Sequence, residues 1–266
     1  MLNAQIPSAQ IQPRIAGAEI PCCQRPRSQL LRSQIEEKLP CAFTFYPRQE
    51  RGNIATGIAQ IDEAARGIPL HALTEICGSN LAFSGKTSVL LSLLAQASRD
   101  HFCALVDAGD AFDPASGQAA GINLQRLLWV RCGKNRVKLP PLEQAFKVAD
   151  ILLQSGGFGL IAVDLSGISE RVVRKVPLSS WFRFSRVIEK QPAALVFIEQ
   201  EPHATSCAGL VLRVAADVSG CAVSLTGNLL TQLSLRAEVI RAQGKKPVRS
   251  ERCAEMAGFS LQTQWA

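Results

Sequence analysis

A chain of 266 residues with 47% hydrophobic and 19% charged residues can bury a sizeable core, as one large domain or one domain with appendages. Apolar runs such as LLSLLAQA and FGLIAVDL are too short to cross a bilayer, and no charged stretch followed by an apolar one opens the chain. Membrane insertion and secretion are therefore not expected, and the cytoplasm is the expected compartment. A net charge of +7 favours a polyanionic partner, because phosphates attract clustered Lys and Arg. The nine cysteines are scattered, with no C-x-x-C pair and no Cys/His ligand spacing, and read as reduced thiols, several of them small core hydrophobes.

Residues 1–27 are rich in Gln, Pro, Arg and Ser without a sustained period and read as a flexible tail. SQLLRSQIEEKL (28–39) places Leu30, Leu31, Ile35 and Leu39 mainly on one helical face and is stopped by Pro40. A linker carrying Phe43, Phe45 and Tyr46 completes this N-terminal helix-and-linker segment, 28–55, and the core is expected over 56–266. From Gly57 short β-prone runs alternate with helical patterns: HALTEIC (71–77), HFCALVD (101–107), LLWVRC (127–132), GLIAVD (159–164) and AALVFIEQ (193–200). Between them, TSVLLSLLAQASRD and PLEQAFKVADILLQS repeat apolar residues at three- and four-residue steps. Alternation of this kind predicts an α/β fold, with right-handed crossovers and a largely parallel central sheet flanked by helices. Ligands in such folds sit beyond the carboxyl ends of the strands. After Asp217 the pattern turns strand-like without long helices, which predicts antiparallel strands added to one edge near the C-terminus.

At the first of these strand ends stands ICGSNLAFSGKTS (76–88). A phosphate-binding loop needs a strand, a glycine-flanked loop whose N–H groups face the phosphates, a lysine that reaches the β/γ pair, and a hydroxyl for Mg²⁺. Gly78, Ser84, Gly85, Lys86, Thr87 and Ser88 supply that set, although six residues rather than the usual four separate Gly78 from Gly85. The extra residues are expected to bulge between Gly78 and Ser84, with Leu81 and Phe83 folded over the site or plugging it. Asp164 ends the strand GFGLIAVD, where a carboxylate can hold Mg²⁺ together with Thr87, as Walker-B residues do. Gln200 ends AALVFIEQ, where an amide can sense a γ-phosphate.

With these residues in place the chain resembles the RecA recombinase family over roughly Thr56 to Phe259. The resemblance runs through TGIAQIDEAARGIPLHALTEICG, LVDAGDAFDP, GLIAVDLSG, VFIEQ and AEVIRAQGKKPVRSERC, in that order. Within the family, LRSQIEEKLP, LEQAFKVADILLQSGGFGLIAVDL, PLSSWFRFSR and EQEPH are most similar to the ImuA-like proteins of the SOS response, translesion synthesis and DNA repair. The resemblance implies a RecA-like P-loop NTPase core, ATP and Mg²⁺ at the loop, single-stranded DNA near the loops after Asp164 and Gln200, and translesion polymerase-class partners (ImuB-like, DnaE-like), with RecA itself a further candidate. It implies phosphate and Mg²⁺ contacts for Lys86 and Thr87, a Walker-B role for Asp164, and nucleotide-to-DNA coupling for Gln200. Gly109 stands where the family carries its catalytic glutamate; Asp110 beside it is shorter, and in an extended segment it would face the other way. The loop after Gln200, EPHATSCAGLVLRV, is shorter than the family's DNA-binding loop.

Two basic groups are candidates for phosphate contact: Arg171, Arg174, Lys175, Arg183 and Arg186, and Arg241, Lys245, Lys246, Arg249 and Arg252. Trp181, Phe182 and Phe184 lie within the first and can stack on unpaired bases, but their near-helical spacing favours a place in the core. His71, His101 and His203 have no partner identified by the sequence. The leading expectation is an ATP-binding accessory protein with little turnover, and two alternatives stand beside it. One is a DNA-dependent ATPase working through Asp107 or Asp110; the other is a nucleotide-free scaffold that keeps the fold.

Overall fold

Aliphatic and β-branched runs bounded by glycine, proline and acidic residues set the element boundaries of the computed structural model, which describes residues 52–78, 84–133, 139–216, 222–223, 230–242 and 256–262. The expected tail, the 28–39 helix, Leu81 and Phe83, and Lys245, Lys246, Arg249 and Arg252 lie outside these residues. In chain order the elements are β1 (Asn53–Ile54), α1 (Ala59–Ala65), β2 (Ile68–Pro69), β3 (Ala72–Cys77), α2 (Lys86–Asp100), β4 (Cys103–Asp107), α3 (Pro114–Ala119) and β5 (Leu127–Arg131). They continue as α4 (Pro141–Ser155), β6 (Leu160–Asp164), α5 (Glu170–Val173), α6 (Leu178–Ile188), β7 (Ala194–Glu199), β8 (Ala208–Ala216), β9 (Ala222–Val223), β10 (Leu230–Ala242) and β11 (Met256–Gln262).

The main sheet has the order β5-β4-β6-β7-β3-β8-β10-β11, with β9 also on β10. β5 to β8 in this order run parallel, and β10 and β11 add antiparallel to the β8 side. The expected α/β sheet with antiparallel strands near the C-terminus is what the chain forms. The second half of the segment read as a loop after Gln200 is strand: β8 begins at Ala208 and pairs with β3 from Leu73 to Cys77. Its run AGLVLRVAA carries the continuous apolar pattern of a strand covered on both faces.

Each face of the sheet buries its own layer. On one side Ile76, Leu105, Ala162, Val196, Ile198 and Leu212 pack against Val89, Leu90, Leu93 and Leu94 of α2. On the other, Leu73, Val106, Ile161, Val163, Leu195 and Phe197 meet Ala145, Ala149 and Leu153 of α4 and Trp181, Phe184 and Ile188 of α6. Phe146, Trp181, Phe184 and Phe197 form an aromatic cluster there, with Trp181 and Phe197 centroids 4.9 Å apart at 72°. Edge-to-face contact of that kind adds to the area each ring buries. Trp181 and Phe184 are thus core residues, as their spacing favours. Of the cysteines, Cys77, Cys103, Cys132 and Cys207 are buried free thiols, and burial pushes Cys77 and Cys103 up to about 12.

Ahead of the site, TGIAQIDEAARG folds onto α2. Thr56 donates from both its N–H and its hydroxyl to Asp62, each at 2.8 Å, and Ser92 of α2 donates to the Thr56 carbonyl at 2.9 Å. Arg66 closes α1 in the left-handed conformation at φ 62°.

Candidate nucleotide site

Parallel pairing places the carboxyl ends of β3, β7, β6 and β4 in a row, and the polar residues of the sequence gather along it. β3 ends in Gly78, whose N–H donates to the Glu199 carbonyl at 3.3 Å. A Cβ on Gly78 would overlap the Val214 carbonyl of β8 and press on the Lys86 stem, so the close approach of two strands requires glycine there. Gly85 precedes α2 with φ 79°, and it makes no side-chain cap bond to the helix. The first turn of α2 contains no acidic residue, so its opening N–H groups and the positive end of its dipole are available to an anion.

Lys86 is the first residue of α2 and only 4% exposed. Burial holds its pKa below the usual lysine value, while Asp164, Cys77, Glu199 and Glu201 pull it back up. Thr87 is exposed beside it, and Ser84 and Ser88 are half-buried. Asp164 is half-buried at the end of β6 and accepts the Ser166 N–H at 2.8 Å. Burial raises its pKa; the bond from Ser166 and the charge of Lys86 oppose the rise. An uncapped helix start, a buried cation and a nearby carboxylate with an exposed hydroxyl fit a phosphate group with a hard divalent cation. Lys86 and the α2 N–H groups would hold the phosphate, and Thr87 and Asp164 the cation. Such a cation, when bound, would neutralise phosphate charge.

Gly85 also sets a stability prediction. An added Cβ would overlap the Leu235 methyls of β10, in a conformation that L side chains rarely adopt. Gly85→Ala should cost about 2 kcal/mol in urea unfolding; an unchanged midpoint would mean that this turn is free to reshape.

Residues 47–171 match the family model described as the RecA N-terminal domain. Across β1 to β6 the chain is therefore similar to that domain. Proteins named RecA are similar over part of their length: that of Rickettsia bellii (strain RML369-C) is 34% identical over 122 residues, covering 44% of this chain and 33% of the relative. Those of Colwellia psychrerythraea and Ectopseudomonas oleovorans are 36% and 39% identical over 115 and 114 residues, each covering 42% of this chain and 30% of the relative. The matched region thus spans about a third of the curated relatives. Gly78, Lys86, Thr87 and Asp164 fall inside the matched 47–171 segment, whereas Gln200 and β7 to β11 fall beyond it.

The residues after β4 are already engaged. Asp107 is buried and accepts N–H groups from Phe112 at 2.8 Å, Ala111 at 3.2 Å and the Trp129 indole at 3.3 Å. A Cβ on Gly109 would lie 3.3 Å from the Gly167 Cα, and one on Gly167 would lie 2.9 Å from the Gly109 Cα. The turns after β4 and β6 therefore meet backbone to backbone where the family resemblance places a glutamate. Asp110 is left-handed at φ 56° rather than extended, and its carboxylate accepts from Arg131 Nε and Nη2, at 2.5 and 2.8 Å. Arg131 ends β5, an edge strand separated from β3 by β4, β6 and β7, so Asp110 is drawn across the sheet from Lys86. Gln200 donates its amide to the Ile168 carbonyl at 3.0 Å, joining the end of β7 to the turn after β6.

Three residues beside this row carry no sequence assignment. Glu75 of β3 and Glu199 of β7 are buried. Glu75 Oε1 accepts the N–H groups of His203 and Ala204, both at 2.6 Å, and Glu199 Oε2 pairs with His203 Nδ1 at 2.7 Å. A glutamate inside the fully buried strand ALTEIC and a Glu-x-x-x-His spacing in EQEPH were the available signals.

Of the first basic group, Arg171, Lys175 and Arg186 are exposed, Arg174 pairs with Glu170, and Arg183 lies 3.5 Å from Asp150 and over the Phe184 ring. Phe182 is 44% exposed, with Val172 and Leu178 each 43% exposed on the preceding turns. In the second group, Arg241 donates to the Thr205 carbonyl at 2.7 Å. Among the described residues no helix is long and apolar enough to cross a membrane, and no group of three or more His, Cys, Asp or Glu is placed to hold a metal ion.

Proposed function

We propose that this chain is an ATP- and Mg²⁺-binding, RecA-like accessory protein of DNA repair and damage-induced translesion synthesis, of the ImuA-like kind. It works by contact with single-stranded DNA and translesion polymerase-class partners. The observation that carries the reading is Lys86, buried at an uncapped helix start beside Asp164. Fast hydrolysis needs an oriented, deprotonated water. Gly109 has no side chain to serve that end, Asp107 is consumed by a turn, and Asp110 is bound to Arg131. Binding without rapid turnover follows, which sets this reading apart from a DNA-dependent ATPase.

The DNA side is tested by salt. With Arg171, Arg174, Lys175, Arg183 and Arg186 neutralising phosphates, log K for a single strand should fall against log salt with a slope of about −3.5, at about 0.7 per phosphate. Arg171→Ala with Lys175→Ala should flatten that slope by about 1.4. A slope unmoved by the double variant would remove this surface from the DNA contact. Stimulation of ATP turnover by DNA, abolished by Asp110→Ala, would instead favour the enzyme.

A further inference from the structure

The turn from β7 to β8, residues 200–207, is held by side chains from four directions. His203 and Ala204 give their N–H groups to Glu75 of β3, and the His203 ring pairs with Glu199 of β7. Gln200 reaches the Ile168 carbonyl after β6, and Arg241 of β10 reaches the Thr205 carbonyl. At the centre are two buried carboxylates, each with one buried oxygen, Glu75 Oε2 and Glu199 Oε1, that has no hydrogen-bond partner among the described residues. Buried carboxylate oxygens without partners are costly when charged, and a proton removes much of that cost.

We propose that Glu75, Glu199 and His203 form a one-proton latch that holds the β7–β8 turn, and Gln200 with it, against the sheet. The proton resides on the His203–Glu199 pair, at Nδ1 or the facing Oε2, so that a single uncompensated carboxylate charge, on Glu75, is left to accept two backbone N–H groups. Loss of that proton leaves two buried negative charges on adjacent strands, and the turn is released.

The surroundings support this balance. Burial pushes Glu199 up to about 7 and raises Glu75 as well, while the bond to Glu199 raises His203 above 6.5. The other groups facing the cluster are Cys77 of β3, Lys86 of α2, Glu170 of α5, Cys207 in the turn and Arg241 of β10. Folded-state values raised above unfolded ones mean that the folded protein binds more protons. The contribution to stability is therefore fully present below the unfolded values and is lost as pH rises through the raised values of the pair, about 7 for Glu199. This inference goes beyond the nucleotide reading and does not depend on it, because the latch acts on the unliganded chain.

The test is amide exchange of His203 and Ala204 by NMR on the whole, nucleotide-free chain, as protection factors corrected for the chemical pH dependence. In the wild type, protection of both amides should fall at least about tenfold between pH 4.5 and 8, the window that runs from the ordinary glutamate value up through about 7. Glu199→Gln, which keeps the shape and removes the second charge, should show a much smaller fall over the same range. Protection independent of pH in the wild type, or an equal fall in Glu199→Gln, overturns the latch. Should Glu199→Gln not fold, titration of the wild-type His203 ring decides: a midpoint above 6.5 supports the latch, and one at or below it overturns it.

Discussion

Phe197→Ala should lower stability by about 4 kcal/mol, with a melting temperature reduced by about 8–15 °C. Phe197 is fully buried in β7 and touches the rings of Phe146, Trp181 and Phe184 at centroid distances of 5.9, 4.9 and 5.7 Å. Truncation removes one member from a cluster that fixes α4 and α6 on the sheet, and close-packed neighbours collapse into such a void only in part. Phe182→Ala in α6, the helix that packs on this cluster, is the contrast: its ring is 44% exposed, and its loss should stay within about 0.5 kcal/mol. Equal effects for the two, read by calorimetry, would show that the aromatic cluster does not organise this face.

Lys86→Met should weaken ATP binding about tenfold to a hundredfold, the order expected for a lost charged contact of about 1.5–3 kcal/mol. Methionine keeps an unbranched stem beside Gly78, where the lysine Cγ and Cδ pack, and removes only the charge. The unliganded protein should melt within about 3 °C of the wild type, because relief from desolvation offsets the lost attraction to Asp164 and Glu199. Affinity and stability measured on the same preparation separate a binding role from a structural one. Loss of both together would make Lys86 a core residue of the fold.

The strands and the two long helices were legible because their patterns are strong. HALTEIC, HFCALVD, GLIAVD and AALVFIEQ are continuous apolar runs of the kind that parallel strands need when both faces are covered, and α2 and α4 repeat over four turns. The short α3 was not distinguished, although Asp113 and Pro114 carry its start: the Asp113 carboxylate accepts the Ala115 and Ser116 N–H groups. β8 is hidden in the sequence because its apolar run follows a polar turn directly, with no breaker between them.

At the site, Lys86, Thr87 and Asp164 are set by local strand-to-helix grammar, and the structure places them along one row of strand ends. The engagement of Asp110 was not legible, since it depends on a left-handed backbone and on Arg131, which only the pairing of β4 with β5 brings near. The same holds for Glu75 and Glu199, which are far apart in sequence and adjacent only through the parallel pairing of β3 and β7. Gly109 could be recognised as a missing carboxylate, but the backbone contact with Gly167 that occupies the place could not.

The central claim is that the head of α2 is a working phosphate site despite the longer lip between Gly78 and Gly85. Equilibrium binding of ATP to the wild-type chain, with and without Mg²⁺ and in the absence of DNA, tests it most directly. Binding should be saturable, strengthen with Mg²⁺ and lose that Mg²⁺ dependence in Asp164→Asn. No saturable binding up to millimolar ATP, with or without the metal, would contradict it.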